Sequence, residues 1–138
     1  MDNRIEKEAV KNFFNKNYQD RINYELCSNK KRIKVFNKLC HDFNILINND
    51  YMEICNENEY SKIITKLKSY GAQNSCYVLS YNTLIDGQYM NLDEALKMVV
   101  GYGMPSLVIC TPLHLAYFEA EQINGAPPRF ILRRNLNE

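Results

Sequence analysis

Several absences narrow the field before any residue is given a role. The five cysteines, Cys27, Cys40, Cys55, Cys76 and Cys110, include no C-x-x-C pair; their number is odd and their spacing wide. A disulfide framework wants an even set and a zinc site wants closely paired thiolates, so both drop out. Reduced, mostly buried thiols in a cytoplasmic protein are expected instead. Neither sign of charge is in excess. Lys plus Arg is 17 against Asp plus Glu at 16, a formal net charge of +1, which exerts no general pull on nucleic acid or an anionic membrane. The same balance gives little repulsion between copies, so a homodimer is a side expectation. No apolar run reaches the length of a membrane span. Residues 1–8 are charged and carry no apolar core of a secretory signal, so none is expected. There is no glycine-rich phosphate loop, H-E-x-x-H pair, G-x-S-x-G elbow or EF-hand spacing. No metal and no cofactor is expected, and neither internal repeats nor low-complexity tails occur.

What remains is ordinary for a globular chain. With 138 residues, 46% apolar and 24% charged, one α+β domain spanning 1–138 is expected, with a helical half at 1–71 and a β-α-β-β-β half at 72–138. The richness in Asn, Lys and Ile resembles a coding bias, which lowers the weight of exposed Asn and Lys as clues. Over residues 4–26, Ile5, Ala9, Val10, Phe13, Phe14, Tyr18 and Ile22 follow the three-four rhythm of one helix face. Glu6 and Glu8 sit in its first turn, where the dipole favours anions. Residues 30–47 repeat the rhythm through Ile33, Phe36, Leu39, Phe43 and Leu46, with Ser28 or Asn29 as cap. Residues 51–55 alternate weakly, as a short edge strand would. A third helix, capped by Asn56 or Asn58, runs through Ile63, Ile64 and Leu67 to Gly71, placed as a left-handed C-cap.

Past Gly71 the period changes. Residues 76–81 are apolar, β-branched and aromatic, as a strand requires. Asp86-Gly87 is a turn dipeptide. Asn91 with Glu94 forms a capping box for a helix over 91–102 whose buried stripe is Leu92, Ala95, Leu96, Val99 and Val100. Residues 106–110 are apolar on both faces, which predicts a central strand covered from both sides. Joined through that helix, the strands at 76–81 and 106–110 are expected to be parallel neighbours in one right-handed crossover. A C-terminal antiparallel meander completes the expected sheet, four-stranded and mixed, with the N-terminal helices packed on it. In that meander Glu121 is placed opposite Arg129, Ala120 opposite Phe130, Phe118 opposite Leu132 and Tyr117 opposite Arg133.

Three places offer chemistry. The polar face of the last hairpin carries Tyr117, Glu119, Glu121, Arg129 and Arg133, and Tyr77 and Tyr81 join it if they point the same way. Tyr and Arg are common interface anchors. Because the central strand needs cover on both sides, this face is read as a partly roofed cleft for a protein or a small polar ligand. That makes a non-catalytic binding or regulatory module the leading reading. The plainer alternative is a solvated sheet face held by weak ion pairs. Cys110 with His114 is the catalytic alternative, a thiol-dependent hydrolase or transferase, since a thiolate nucleophile needs an imidazole to take its proton. Against it, Cys110 ends an apolar strand, and nothing is evident to orient His114. A third reading places nucleic acid on the basic stretch Lys30, Lys31, Arg32, Lys34 and Lys38, although no interleaved aromatic is visible there. His41 and Asp42 are adjacent on a helix and so point apart.

Overall fold

The computed structural model describes residues 1–134. In chain order it contains α1 (Asn3–Phe13), α2 (Lys16–Leu26), α3 (Arg32–Leu46), β1 (Met52–Ile54), α4 (Tyr60–Ser69), β2 (Ser75–Ser80), β3 (Gln88–Asn91), α5 (Leu92–Val99), β4 (Ser106–Cys110), β5 (Leu115–Glu119) and β6 (Arg129–Arg133). The α+β class holds. The sheet is not four-stranded and mixed: it has six strands in the order β1-β6-β5-β4-β2-β3, and every neighbouring pair is antiparallel. The strand that changes the topology is β3. It pairs back along β2 before α5 begins, so the chain has already reversed when α5 delivers it to β4. Hence β4 runs antiparallel to β2, where a parallel crossover was expected, and it is β3 and β4 that run parallel, on either side of β2. At the other edge β1 pairs with β6, so the sheet draws on both halves of the chain.

The single helix expected over residues 4–26 is two. Phe14 leaves the helix at φ −91°, ψ 149° and bridges Ile47. The Asn15 N–H donates to the Leu46 carbonyl at 2.7 Å and the Asn48 N–H to the Phe13 carbonyl at 2.9 Å. Backbone groups freed by the break are thus satisfied, and the Phe14 side chain enters the core. The caps of the next two helices also differ from expectation. Lys31 precedes α3, and the Ser28 carbonyl, not a Ser28 or Asn29 side chain, receives the Lys31 and Arg32 N–H groups. Glu59 takes the N-cap place of α4. Gly71 does adopt a left-handed φ of +106°, and the Asn91 side chain does cap α5, accepting from the Asp93 N–H at 2.9 Å.

The sheet separates two apolar layers. On one side the helices α1 to α3 cover Tyr77, Leu79, Leu107, Ile109, Phe118 and Leu132. Phe43 lies 5.5 Å from Phe118 and 5.6 Å from Phe130 between ring centres. On the other side α4 and α5 bring Ile63, Leu67, Leu96 and Val99 onto Cys76, Val78, Val108, Cys110, Tyr117 and Ile131. This double cover is why β4 reads as apolar on both faces. The last hairpin is paired two residues away from the expected register: Glu119 lies opposite Arg129, Phe118 opposite Phe130, Tyr117 opposite Ile131, Ala116 opposite Leu132 and Leu115 opposite Arg133. A slip of two keeps every side chain on its expected side of the sheet. The observed pairing stacks Phe118 on Phe130, a gain the other register lacks, and sets the buried Glu119, in place of Glu121, against the Arg129 guanidinium. No helix among the described residues is long and apolar enough to cross a membrane.

Candidate functional site

The polar sheet face exists, but it is closed. Tyr117, Glu119 and Arg129 come together beneath α5 and the turn after it, and all three are buried. The Tyr117 hydroxyl donates to Glu119 Oε1 at 2.8 Å and Arg129 Nε donates to the same oxygen at 2.9 Å. The Gly101 N–H, at a φ of +83° just past α5, donates to Oε2 at 2.8 Å. Burial first, then the adjacent Glu119 charge, pushes the Tyr117 phenol far above its ordinary value. The expected cleft is therefore an internal ionic cluster whose acceptors are taken. Arg133 lies on the same side but at the exposed rim. Its guanidinium sits 3.7 Å from the centre of the Tyr70 ring and 3.6 Å from Glu53. Glu121, just past β5, is half-buried.

Tyr77 and Tyr81 do not join that face. Direct partners across a sheet point the same way; Tyr77 stands opposite Ile109 and Tyr117 opposite Val108, neighbours on one strand that point apart. Tyr77 thus faces α1, where its hydroxyl donates to Glu6 Oε2 at 2.6 Å and accepts from the Asp2 N–H at 2.9 Å. Tyr81 is half-buried against the same helical layer.

Cys110 is fully buried, opposite Cys76 on β2. Burial pushes both thiols up to about 12, so both are protonated at neutral pH and poor nucleophiles. His114 is half-buried in the β4–β5 corner, next to a cis Thr111–Pro112 bond. Among the described residues no hydrogen bond links it to Cys110. His41 and Asp42 are both exposed on α3.

Arg32, expected among surface cations, is the most fully used cation among the described residues. Only 4% exposed, it spends all five N–H donors. Its Nη atoms donate to the two Glu6 oxygens, each at 2.7 Å, and Nη1 also to the Leu26 carbonyl at 3.0 Å. Nε and Nη2 donate to Asp86 at 2.6 and 3.1 Å. Burial alone would weaken its hold on the proton, but the bonds to Glu6 and Asp86 prevail and raise its pKa. Asp86 also receives the Ser80 N–H at 3.0 Å. Taken for a dipole partner and a turn residue, Glu6 and Asp86 are the two walls of this site. One sequence signal was available: an arginine within a run of lysines, since only Arg can serve two carboxylates in bidentate fashion.

The open concavity nearest this basic stretch lies between α2 and α3. It has a volume of about 290 Å³ and is lined by Tyr18, Arg21, Ile22, Lys38, Asp42, Ile45 and Leu46. Its position follows from the local chain. The Phe14–Ile47 bridge ties the start of α2 to the end of α3, and residues 27–31 tie their other ends. Between the ties α3 departs from helical geometry at Asp42 (φ −128°, ψ 24°), and the groove opens there. Ile22 and Leu46 are buried at the floor, while Tyr18 is 38% and Ile45 48% exposed at the rim. At one end the fully buried Glu25 accepts from Lys38 Nζ at 2.7 Å and from Arg21 Nε at 3.3 Å. Beyond it, the exposed Tyr24 ring lies 4.5 Å from Lys31 Nζ and 5.8 Å from Arg21 Cζ. The Lys31 hydrogen bond, with the charges of Lys31, Arg21 and Lys34, lowers the Tyr24 phenol pKa. The basic stretch therefore does have an aromatic companion, supplied by α2 and not by its own helix. A broader depression, lined by Lys68, Gln73, Asn74, Tyr89 and Asn91 among others, lies open to solvent beside β3.

Compared with protein-family models, with curated proteins and with solved structures, the chain gave no match.

Proposed function

We propose that the protein is a non-catalytic binding or regulatory module that engages its partner through the α2–α3 groove. One observation carries this: an apolar-floored concavity whose rim holds Tyr18 and Ile45 partly exposed. Its volume is at the low end for small-molecule pockets, a size suited to one or two anchoring side chains of another chain. Exposed apolar groups beside a groove contribute most when a partner dehydrates them. The sheet face, expected to do this work, is filled by its own ion pair. A photocrosslinking residue placed at Ile45, with a control at Leu84, exposed in the turn after β2, tests the reading in the native cell. Adducts specific to position 45 that vanish with Tyr18→Ala are expected; identical adducts at both positions would sink it.

A second reading, nucleic acid on Lys30, Lys31 and Lys34, is favoured by Tyr24 standing among these cations. It predicts binding that falls steeply with salt; unchanged retention on heparin after Lys30→Glu with Lys34→Glu dismisses it. The thiol-dependent enzyme is not carried forward, because the Cys110 thiol is buried and protonated. Homodimerisation rests on charge balance alone, and sedimentation at several concentrations decides it.

A further inference from the structure

We infer that the occupant of the α2–α3 groove is an acidic protein segment with an aliphatic or aromatic anchor of one or two residues, its acids clustered on one side of that anchor. This rests on the groove being the recognition site. The apolar floor, Ile22 and Leu46, dictates the anchor. Charge dictates the rest. Glu25 cannot compete for a partner's acids as an exposed carboxylate would. It is fully buried, and each of its oxygens already holds a cation, Lys38 on one and Arg21 on the other. Its effect is to fix those two cations at one end of the groove, where they leave an excess of one positive charge that Asp42 balances only at the other end. Arg21 remains 61% exposed, and its one bond among the described residues uses Nε. The two Nη groups are thus open to a carboxylate in the forked geometry that guanidinium favours.

The direction of the segment follows from the spacing along α3. Lys34 lies one turn before Lys38, on the same helix face, and Lys31 a further turn back, so cations continue for about 10 Å from Lys38. Tyr24 and Arg21 flank that path from α2. The other end of the groove carries Asp42 together with Tyr18 and Ile45, which repels acids and favours hydrocarbon. An acidic run therefore fits over Arg21, Lys31 and Lys34 with the anchor seated toward Ile45, and an acid at the anchor's far side meets Asp42.

The test uses the full chain and fluorescence anisotropy with defined probes. The first is a labelled peptide of four alternating glutamates and aspartates, then glycine, leucine and phenylalanine. The second replaces the acids by their amides; the third replaces leucine and phenylalanine by serine. Oligodeoxythymidine and phosphatidylserine vesicles complete the set. The first peptide is expected to bind about tenfold tighter than the second and third, and to weaken as salt rises from about 50 to about 500 mM. Ile45→Asp should abolish the preference for the anchor and Lys34→Glu the preference for acids, each by about tenfold. Lys62→Glu, exposed on α4, should change nothing. Equal binding of the acidic and amide peptides overturns the acidic partner yet leaves the groove as an apolar site. So does failure of every peptide while position 45 still yields specific adducts in cells. Failure of both removes the groove itself. Tighter binding of the oligonucleotide or the vesicles, insensitive to Ile45→Asp, overturns the proposal in favour of a phosphate-bearing partner on the basic rim.

Discussion

Each side of the sheet hides an ionic cluster centred on an arginine, and the two are built in opposite ways. Under α5, Tyr117, Glu119 and Arg129 come from two adjacent strands of one hairpin. Under the N-terminal helices, Arg32 joins Glu6, Leu26 and Asp86, residues up to 54 positions away from it, and Tyr77 extends the cluster to the Asp2 amide. The first can form as soon as its hairpin does. The second can form only when α1, α3 and the turn after β2 have docked. Buried charges do little for net stability when compared with apolar groups of the same shape, but they penalise any arrangement that leaves one unpaired. The hairpin cluster therefore fixes a register, whereas the Arg32 cluster fixes the placement of three separate segments.

The comparison is open to attack at its strongest point. Arg32→Met leaves the buried Glu6 and the partly buried Asp86 carboxylates without a counter-charge and should cost about 3–5 kcal/mol in chemical denaturation; a loss below about 1 kcal/mol would mean that the site is wetter than it looks. Glu119→Gln should cost less, about 2–3 kcal/mol, since it retains an acceptor for Tyr117 and Arg129 remains slightly exposed. Replacing the hairpin cluster whole, Tyr117→Phe with Glu119→Leu and Arg129→Met, should return stability to within about 1 kcal/mol of the parent, since the one partner it strands, the Gly101 N–H, belongs to an exposed residue that water can reach. The matching replacement of Glu6, Arg32 and Asp86 should not, because the buried Tyr77 hydroxyl, the Ser80 N–H and the Leu26 carbonyl would all lose their partners. If both triples recover alike, the distinction between the clusters falls.

A smaller effect separates the two sides by pH. Cys76 and Cys110 both face α4 and α5, with thiols raised from the ordinary 9.0 to about 12. A raised folded pKa contributes stability that is complete below the unfolded value and is lost as pH rises toward the folded one. Unfolding monitored from about pH 8 to pH 11 should show a decline that Cys76→Ala with Cys110→Ala reduces; an equal decline in the double variant would refute the assignment. Iodoacetamide at neutral pH should modify the exposed Cys27 and spare both. The smallest effect belongs to Glu53 at the sheet edge. Burial raises its pKa, but the bonds from Tyr70 and Lys66 and the charges of Lys66 and Arg133 outweigh it, and the net shift is downward. Its stabilisation is present above the ordinary glutamate value and is lost as pH falls through the lowered one. Glu53→Gln should cost under about 1 kcal/mol at neutral pH and nothing in acid; a loss that persists in acid would assign the effect to packing.

Much of this fold was legible, and the limits have identifiable causes. Periodicity marked α4, α5, β2 and β4, and β4 read correctly as covered on both sides. The face of each residue in the last hairpin was legible too, because a slip of two residues leaves the alternation intact. The β3 strand was not, since Gln88, Tyr89, Met90 and Asn91 carry no alternation and run straight into a helix cap. With β3 missed, the direction of β4 came out reversed. The break at Phe14 was invisible because the apolar rhythm continues through it; only the pairing of Phe14 with Ile47 reveals it. The candidate site fared worse for the same reason. Whether Tyr77 and Tyr117 share a face depends on the register between strands, and the groove depends on a kink at Asp42. Neither is a property of any local stretch.

The pairing of β1 with β6 has a consequence for synthesis. Met52 emerges from the ribosome roughly eighty residues before its partner Leu132, and β6 also supplies part of the surface on which the first three helices rest. Until β6 emerges, the nascent chain thus exposes oily helix faces, and the arrival of that strand lets this edge of the sheet close.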